Sequence, residues 1–306
     1  MAMASRQWIQ GGACPVTGPY DRDAPPFQRL DTTMKEERFV FEGIPVTYYQ
    51  SGSGTPLLML HGSGPGASSL GNWRTVLGPL SEHFEVFAMD LIGFGKSGRK
   101  PQPPYFDYAM WVRQAQAMLA RIAGEQVGLI GHSLSGSIAL RLASMEPRVA
   151  AVLTTGTMGG HFTPNDLTRR VWTGPRNREE LVQTLSGIIH DTSVIDEPYV
   201  AAREPVVFAP GYADYFDAMF EGDKQQYADA AVLDAATLAQ VRCPVRLLHG
   251  REDLAFPPSC THDIASALPQ ADVVLLAECS HSVAFERSAT FIAEVRDFMG
   301  LNLTSS

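Results

Sequence analysis

Residues 131–136 combine the features that a catalytic serine requires. They read GHSLSG and follow directly after the apolar run VGLI at 127–130. This pattern predicts a strand that turns sharply into a helix, with Ser133 at the turn. Small residues on both sides let the backbone bend tightly enough to hold one hydroxyl out of the sheet. A hydroxyl is a weak nucleophile near neutral pH, so Ser133 needs a base and an acid from elsewhere in the chain.

An acid and a base both follow Ser133, each after its own predicted strand. Asp253 comes 120 residues later in the turn after the strand 245–249, and His281 comes 28 residues after Asp253 in the loop after the strand 272–276. Open α/β sheets place their sites at these carboxyl ends. Glu252 is the competing acid, and a Gly-x-x-Asp turn favours Asp253. Taken alone, Asp253 could be the N-cap of a helix, and His281 could be an ordinary surface histidine. Together with Ser133, the two residues predict a catalytic triad.

A glycine-rich loop supplies the fourth part of the predicted site. The strand 56–60 is followed by HGSGPG at 61–66. Glycines let backbone N–H groups approach a reacting carbon closely enough to stabilise an oxyanion. We assign this oxyanion hole to the amides of Ser63 and Leu134. The alternative, a phosphate cradle, lacks both a Gly-Lys-Ser/Thr ending and a Gly-x-Gly-x-x-Gly spacing. We interpret His61 and His132 as structural residues that hold the loop and the turn.

Composition restricts the class of protein. The chain has 306 residues, 45% of them hydrophobic, which suits one domain that carries an insertion. The net charge of −9 argues against a nucleic-acid partner, and no apolar run reaches membrane-spanning length. We expect a cytoplasmic protein that acts on a small molecule without a metal or cofactor, while homo-oligomer formation stays open. The cysteines lack metal-ligand spacing, which favours free thiols: Cys14, Cys243, Cys260 and Cys279.

The order of predicted elements divides the chain into three parts. Residues 1–35 are rich in Pro and Gly and predict an irregular N-terminal arm. Residues 36–157 and 237–301 alternate strands with helices after an opening hairpin, which predicts an α/β fold with a mostly parallel sheet and helices on both faces. Strand signals vanish over 158–236, which predicts an inserted helical cap. The loop 90–97 follows a strand and is expected to line the floor of the site.

Individual elements follow from the same patterns. The hairpin pairs 39–41 with 46–49 across a connection at 42–45. Further predicted strands are 57–60, 85–89, 127–130 and 149–154, and predicted core helices are 108–123 and 135–145. In the cap we predict helices over 178–189, 198–203, 212–220 and 225–233.

With these residues in place, the chain resembles the α/β-hydrolases over positions 36–300. Within that superfamily it resembles the meta-cleavage product hydrolases, which cut carbon–carbon bonds in ring-fission products of aromatic compounds. Three segments carry the resemblance: 61–67 with Asn72, the loop 90–97, and the cap segment 179–203. The resemblance implies substrate-binding roles for Gly64, Asn72 and Arg203, with the arginine near the substrate carbonyl.

Two departures from that family lie next to the predicted triad. His132 stands where the family usually has asparagine, and Ser282 stands where it has a tryptophan that shapes the dienoate pocket. The resemblance implies hydrolysis of a 2-hydroxy-6-oxohexa-2,4-dienoate by Ser133, after ketonisation of the dienol. An ester, lactone or amide hydrolase with the same triad is the main alternative. A slow-turnover ligand receptor and a cofactor-free dioxygenase on this fold are two further ones.

Overall fold

A computed structural model describes residues 34–303. Cys14 and nearly all of the arm predicted for residues 1–35 therefore lie outside the described residues. The described chain is built on one sheet of eight strands in the order β1-β2-β4-β3-β5-β6-β7-β8. The strands are β1 Lys35–Phe41, β2 Ile44–Ser51, β3 Pro56–Leu60, β4 Glu85–Met89, β5 Val127–His132, β6 Val149–Thr155, β7 Val245–Gly250 and β8 Ala271–Leu276.

Strands β3 to β8 run parallel to one another. At one edge β1 and β2 form an antiparallel hairpin, and β2 pairs antiparallel with β4. The hairpin connection is shorter than predicted, because Phe41 pairs with Ile44 and only two residues lie between them. Those residues, Glu42 and Gly43, have φ angles of 48° and 80°. Two positive φ values match the tight turn whose twist suits paired strands. The parallel strands bring several carboxyl ends to one edge of the sheet.

Helices cover both faces of the sheet, as the alternation predicts. Two buried apolar clusters lie on opposite sides of the sheet. The helices at 108–119, 134–143 and 259–267 contribute to one, and those at 69–73, 77–81, 283–286 and 288–302 contribute to the other. The helices outside the cap are α1 Ser69–Trp73, α2 Leu77–Ser81, α3 Tyr108–Leu119, α4 Leu134–Ala143, α12 Ser259–Ala267, α13 Val283–Glu286 and α14 Ser288–Asn302.

The chain between β6 and β7 forms helices and, within the described residues, no strand. The helices there are α5 Asp166–Val171, α6 Arg178–Ser186, α7 Glu197–Ala201, α8 Glu204–Val207, α9 Tyr212–Met219, α10 Gln225–Ala230 and α11 Ala235–Leu238, with a short 3₁₀ turn at Thr192–Val194. We refer to residues 158–236 as the cap.

The predicted cap helix over 198–203 corresponds to α7, which begins one residue earlier and ends at Ala201. A second short helix, α8, begins at Glu204, and Arg203 lies at the junction between the two. Pro205 explains why α7 does not continue, because proline has no N–H to donate to the carbonyl oxygen four residues earlier, at Ala201. The junction has a consequence for the site, since Arg203 is held at a helix boundary instead of within a continuous helix.

Candidate active site

Ser133 occupies a strained turn between β5 and α4. Its φ and ψ angles are 56° and −123°, a conformation that non-glycine residues adopt only where the surroundings enforce it. Glycines make the turn sterically feasible. A Cβ on Gly131 would lie 2.3 Å from the Ser135 carbonyl oxygen, and a Cβ on Gly136 would lie 2.1 Å from Thr157 Oγ1. The sequence pattern therefore forms the nucleophile elbow that it predicts.

Ser135 stands where the usual elbow pattern has its second glycine. Its side chain is fully buried, and its hydroxyl donates a 2.5 Å hydrogen bond to the carbonyl oxygen of His61. This bond ties the start of α4 to the end of β3, from which the glycine-rich loop departs. The substitution of serine for glycine thus adds a link between the elbow and the predicted oxyanion loop.

Asp253 and His281 are directly hydrogen bonded. The distance from His281 Nδ1 to Asp253 Oδ2 is 2.6 Å, and both side chains are buried. The other carboxylate oxygen accepts the backbone N–H of Phe256 at 2.9 Å. Burial acts to raise the pKa of Asp253, but the charge of His281 and hydrogen bonds from His249 and His281 outweigh it and hold the pKa well below its usual range. Asp253 is therefore an ionised acceptor that orients the base.

The ring of His281 is confined on several sides. It stacks on Phe256 with ring centroids 4.4 Å apart and lies 4.7 Å from the ring of His132. A Cβ on Gly156, which has a φ of 52°, would come within 2.8 Å of His281 Nδ1. Ser133 and His281 line one cavity. Within residues 34–303 no hydrogen bond joins their side chains, and such catalytic bonds are often long until substrate binds.

Glu252, the competing acid, has a different position. Its carboxylate accepts the backbone N–H of Cys279 at 3.1 Å, and its own N–H donates to the Cys279 carbonyl oxygen at 3.0 Å. It supports the loop that carries His281 without contacting the imidazole. The Cys279 thiol is buried, and burial raises its pKa, so this cysteine does not compete with Ser133 as nucleophile.

The predicted oxyanion hole adjoins the elbow. A Cβ on Gly62 would lie 2.9 Å from His132 Cδ2 and 3.1 Å from Ser133 Cβ, so only glycine permits this approach. The amides of Ser63 and Leu134 are bonded to no acceptor within residues 34–303, which leaves them available to a ligand oxygen. The Ser63 hydroxyl accepts a 3.4 Å hydrogen bond from the cap residue Trp172.

His61 and the loop 90–97 support this loop from behind. His61 Nδ1 donates to the Gly62 carbonyl oxygen at 2.6 Å, while Nε2 accepts the backbone N–H of Leu91 at 3.0 Å. Burial lowers the pKa of His61, so the ring stays neutral in this bridging tautomer. The prediction that the loop 90–97 lines the site was wrong, because the Asp90 carboxylate turns inward to accept the amides of Ser69 and Lys96.

The predicted substrate-binding residues Gly64, Asn72 and Arg203 all line the cavity. The Arg203 guanidinium donates to the carbonyl and hydroxyl oxygens of Tyr199, at 3.0 and 2.9 Å, and lies 3.9 Å from the centroid of that ring. Within residues 34–303 Arg203 makes no ion pair with a carboxylate, and no Asp, Glu or Lys lines the cavity. The larger apolar side chains of the wall are Val171, Leu181, Leu185, Ile188, Phe256 and Phe285.

The two departures from the family pattern also face the cavity. His132 Nδ1 lies 3.1 and 3.0 Å from the carbonyl and hydroxyl oxygens of Thr155. Burial, and secondarily the charge of His281, lowers the pKa of His132 well below its usual value, so this ring is neutral. The Ser282 backbone N–H donates to the Ile188 carbonyl oxygen at 3.3 Å, and its small side chain leaves this part of the wall open.

His249 is a site residue that the sequence analysis missed. Its Nε2 lies 3.2 Å from Asp253 Oδ2 and 2.9 Å from the Phe256 carbonyl oxygen, and its Nδ1 lies 2.7 Å from Thr261 Oγ1. Because both neighbours of Nε2 are acceptors, Nε2 carries the proton and Nδ1 accepts from the threonine hydroxyl. A histidine at the end of a strand, four residues before the acid, was the available signal.

Comparison with known proteins fits this geometry. A model of the alpha/beta hydrolase family matches residues 57–295, and the chain belongs to this family. A 2-hydroxymuconate semialdehyde hydrolase from Pseudomonas sp. (strain CF600) is 31% identical over 84% of this chain and 91% of its own. A 2-hydroxy-6-oxo-2,4-heptadienoate hydrolase from Pseudomonas putida is 28% identical over 84% and 93%.

A solved structure agrees with the same assignment. The meta-cleavage product hydrolase CumD from Pseudomonas fluorescens IP01, in a serine-to-alanine mutant complexed with acetates, superimposes with a TM-score of 0.82 at 25% identity. The superposition covers 87% of this chain and 97% of CumD. The predicted family and fold class are thereby confirmed, and the protein is an α/β-hydrolase with a Ser-His-Asp triad. In the described part of the chain no helix has the length and apolar character needed to cross a membrane.

Proposed function

We propose that the protein hydrolyses a carbon–carbon bond in a 2-hydroxy-6-oxohexa-2,4-dienoate or a closely related oxo acid. The observation that carries the proposal is Arg203, which lines the same cavity as Ser133 and His281. A guanidinium without a carboxylate partner, in a cavity that no Asp or Glu lines, favours an anionic ligand group. The names of the relatives, which specify dienoate and muconate semialdehyde substrates, agree with this choice.

The residues suggest the following course for the reaction. Ketonisation of the dienol makes carbon 5 the terminus of a vinylogous ketone, which can hold an electron pair. His281 takes the hydroxyl proton of Ser133 as its oxygen attacks the carbonyl at carbon 6. The amides of Ser63 and Leu134 receive the negative oxygen of the tetrahedral intermediate. Asp253 fixes the imidazole and stabilises its positive charge.

Cleavage then follows from the electronics of the intermediate. The electron pair of the bond between carbons 5 and 6 passes to carbon 5, and the imidazolium of His281 returns a proton to the leaving fragment. This step releases a 2-hydroxypentadienoate and leaves an acyl group on Ser133. Water, activated by His281, hydrolyses the acyl-enzyme to a carboxylic acid and frees the serine. The overall reaction consumes one water and needs no redox partner.

A second candidate, hydrolysis of an ester, lactone or amide, is favoured by the two departures from the family pattern. Ser282 replaces the tryptophan that shapes the family's dienoate pocket, and His132 replaces the asparagine that precedes the family's nucleophile. The triad and oxyanion hole would act identically on an ester carbonyl. We also propose a cytoplasmic location, for which the unpaired, buried Cys243, Cys260 and Cys279 are the support.

A substrate panel separates the two candidates. Ring-fission dienoates with hydrogen, methyl or phenyl at carbon 6 are compared with short aryl esters, and turnover is followed by the loss of dienoate absorbance or the release of the phenol. We expect kcat/KM to be highest for a dienoate. Efficient ester turnover with no dienoate turnover would reject carbon–carbon hydrolysis, and oxygen uptake without hydrolysis would reject both candidates.

A further inference from the structure

Glu286 holds the loop that carries the base. We define the base loop as residues 278–282. The Glu286 carboxylate accepts the backbone N–H of Ser280 at 3.1 and 3.2 Å with its two oxygens, and that of Ser282 at 3.1 Å. These two amides flank His281 on either side along the chain. The position of the imidazole is therefore tied to the position of one carboxylate.

The same carboxylate also reaches the cap. Glu286 Oε2 accepts the backbone N–H of His190 at 2.6 Å, and the Ser282 N–H donates to the carbonyl oxygen of Ile188. Both cap residues lie just beyond the end of α6, whose Leu181 and Leu185 line the cavity. One side chain thus joins the cavity-lining part of the cap to the base loop.

The chemistry of the contact is specific for a carboxylate. Glu286 is partly buried and makes no ion pair with Lys or Arg within residues 34–303, so three backbone amides satisfy its charge. Burial raises the pKa of Glu286, and the hydrogen bonds from these amides act against that increase. Hydrogen bonds to an ionised acceptor are about twice as strong as neutral ones, which suits a joint between two segments.

We propose that Glu286 is a positioning residue that couples the cap to the catalytic base. With the cap segment after α6 in this position, the His190 N–H is the third backbone amide that donates to the Glu286 carboxylate. The carboxylate then holds the base loop in place. Displacement of that segment removes one donor and loosens the amides beside His281. Glu252 contributes support from the core side alone, through Cys279, and does not contact the cap.

This inference rests on the serine-hydrolase part of the proposed function and not on the carbon–carbon substrate. The test therefore uses a fluorophosphonate probe, which needs no substrate assignment. The Ser133 oxygen attacks phosphorus, fluoride leaves and His281 takes the hydroxyl proton, so the labelling rate reports whether the base is in place. If the wild-type protein reacts with the probe but does not turn over a dienoate, the proposed substrate is rejected, and the labelling test of Glu286 can still be carried out.

The variant is Glu286→Gln, which keeps the shape but turns an NH₂ toward amide donors. Glu278→Gln is the matched control, because Glu278 is an exposed residue of the same loop. Glu252→Ala, which removes the acceptor for the Cys279 N–H, tests core-side support alone. For each variant we measure the labelling rate, the melting temperature and the hydrogen exchange of the peptides that contain 187–194 and 278–282.

We expect Glu286→Gln to label at least about tenfold more slowly than wild type, as loss of a charged hydrogen bond implies, and to exchange faster in both peptides. Glu252→Ala should exchange faster in 278–282 only, and Glu278→Gln should match wild type. The proposal would be overturned if Glu286→Gln were labelled at the wild-type rate. It would also be overturned if labelling slowed while hydrogen exchange of the peptide with 187–194 stayed unchanged. If Glu286→Gln does not fold, the same measurements are made on Glu286→Asp, which keeps the charge on a shorter side chain. The same expected result and the same contradicting results apply to that variant.

Discussion

His249 and His281 donate to the same oxygen of Asp253. The distances to Asp253 Oδ2 are 2.6 Å from His281 Nδ1 and 3.2 Å from His249 Nε2. The acid of the triad is therefore held by the His249 imidazole from the β7 side as well as by the base, His281. Asp253 thus has little freedom to rotate away from His281, which matters because a triad acid acts through orientation.

Replacement of Ser133 by alanine tests the nucleophile. Alanine fits the same turn, so the fold should be retained, while the lost hydroxyl should lower kcat by about 10⁴ to 10⁶. The measurement is turnover of the best substrate, with the melting temperature as the control for folding. Near-normal turnover would remove Ser133 from the mechanism.

Replacement of the two neighbouring acids, Asp253 and Glu252, should lower kcat by very different amounts. Asp253→Asn favours the wrong tautomer of His281 and should lower kcat by about 10⁴. Glu252→Gln keeps an oxygen that can accept the Cys279 amide, so a change of less than about fivefold is expected. Steady-state kinetics of the two variants under one condition decide the matter, and the reverse order would transfer the acid role to Glu252.

His249 can be removed without removing the triad. His249→Phe deletes the second donor to Asp253, so we expect kcat to fall by about 10-fold to 100-fold with KM nearly unchanged, since a hydrogen bond to a charged group contributes about 1.5–3 kcal/mol. Thr261→Val is the matched control, because it leaves the His249 N–H in place. An unchanged kcat in His249→Phe, at normal thermal stability, would show that His281 alone orients Asp253.

His132 should make stability depend on pH. Because the native pKa of His132 lies well below its usual value, the unfolded chain binds this proton and the folded chain does not. Stability from this residue is therefore complete above about pH 6.5 and falls as the pH decreases toward the native pKa, by about 1.4 kcal/mol per unit. Urea unfolding between pH 5 and 8 measures the slope. His132→Asn should flatten it by one proton, and an unaltered slope would contradict the neutral state.

Arg203 distinguishes the two candidate functions. Arg203→Gln should reduce dienoate turnover by roughly 10² or more, since it removes a charged donor to an anionic group. Hydrolysis of a neutral aryl ester should change much less, because Ser133, His281 and the oxyanion amides are untouched. Kinetics on both substrates provide the measurement. Small and equal effects would reject the role of Arg203 in dienoate binding and favour an esterase.

The sequence was informative where one local pattern implies one geometry. The elbow at Ser133, the strands of the core and the choice of Asp253 over Glu252 all follow from short motifs placed after strands. The tightness of the hairpin and the end of α7, which lies two residues earlier than predicted, were misjudged, because each depends on one or two residues at an element boundary. Such boundaries are the least reliable part of sequence interpretation.

Contacts between segments that are distant in the chain could not be predicted from the sequence. His249 and Glu286 have no motif of their own, and their roles appear only when β7, the base loop and the cap come together. The loop 90–97 was placed at the floor of the site because it follows a strand, whereas Asp90 turns it into a support behind the oxyanion loop. The prediction failed because the position of this loop depends on the direction of the Asp90 side chain, which residue spacing does not specify.

The parallel order of the sheet has a kinetic consequence. Ser133 follows β5, Asp253 follows β7 and His281 follows β8, so the triad is complete only when the last strand has joined the sheet. Parallel pairing of segments far apart in the chain is a slow part of folding. During refolding, helix content should therefore recover before enzymatic activity does. A nascent chain that ends before β8 carries Ser133 and Asp253 without His281, so it lacks the base and cannot hydrolyse a substrate prematurely.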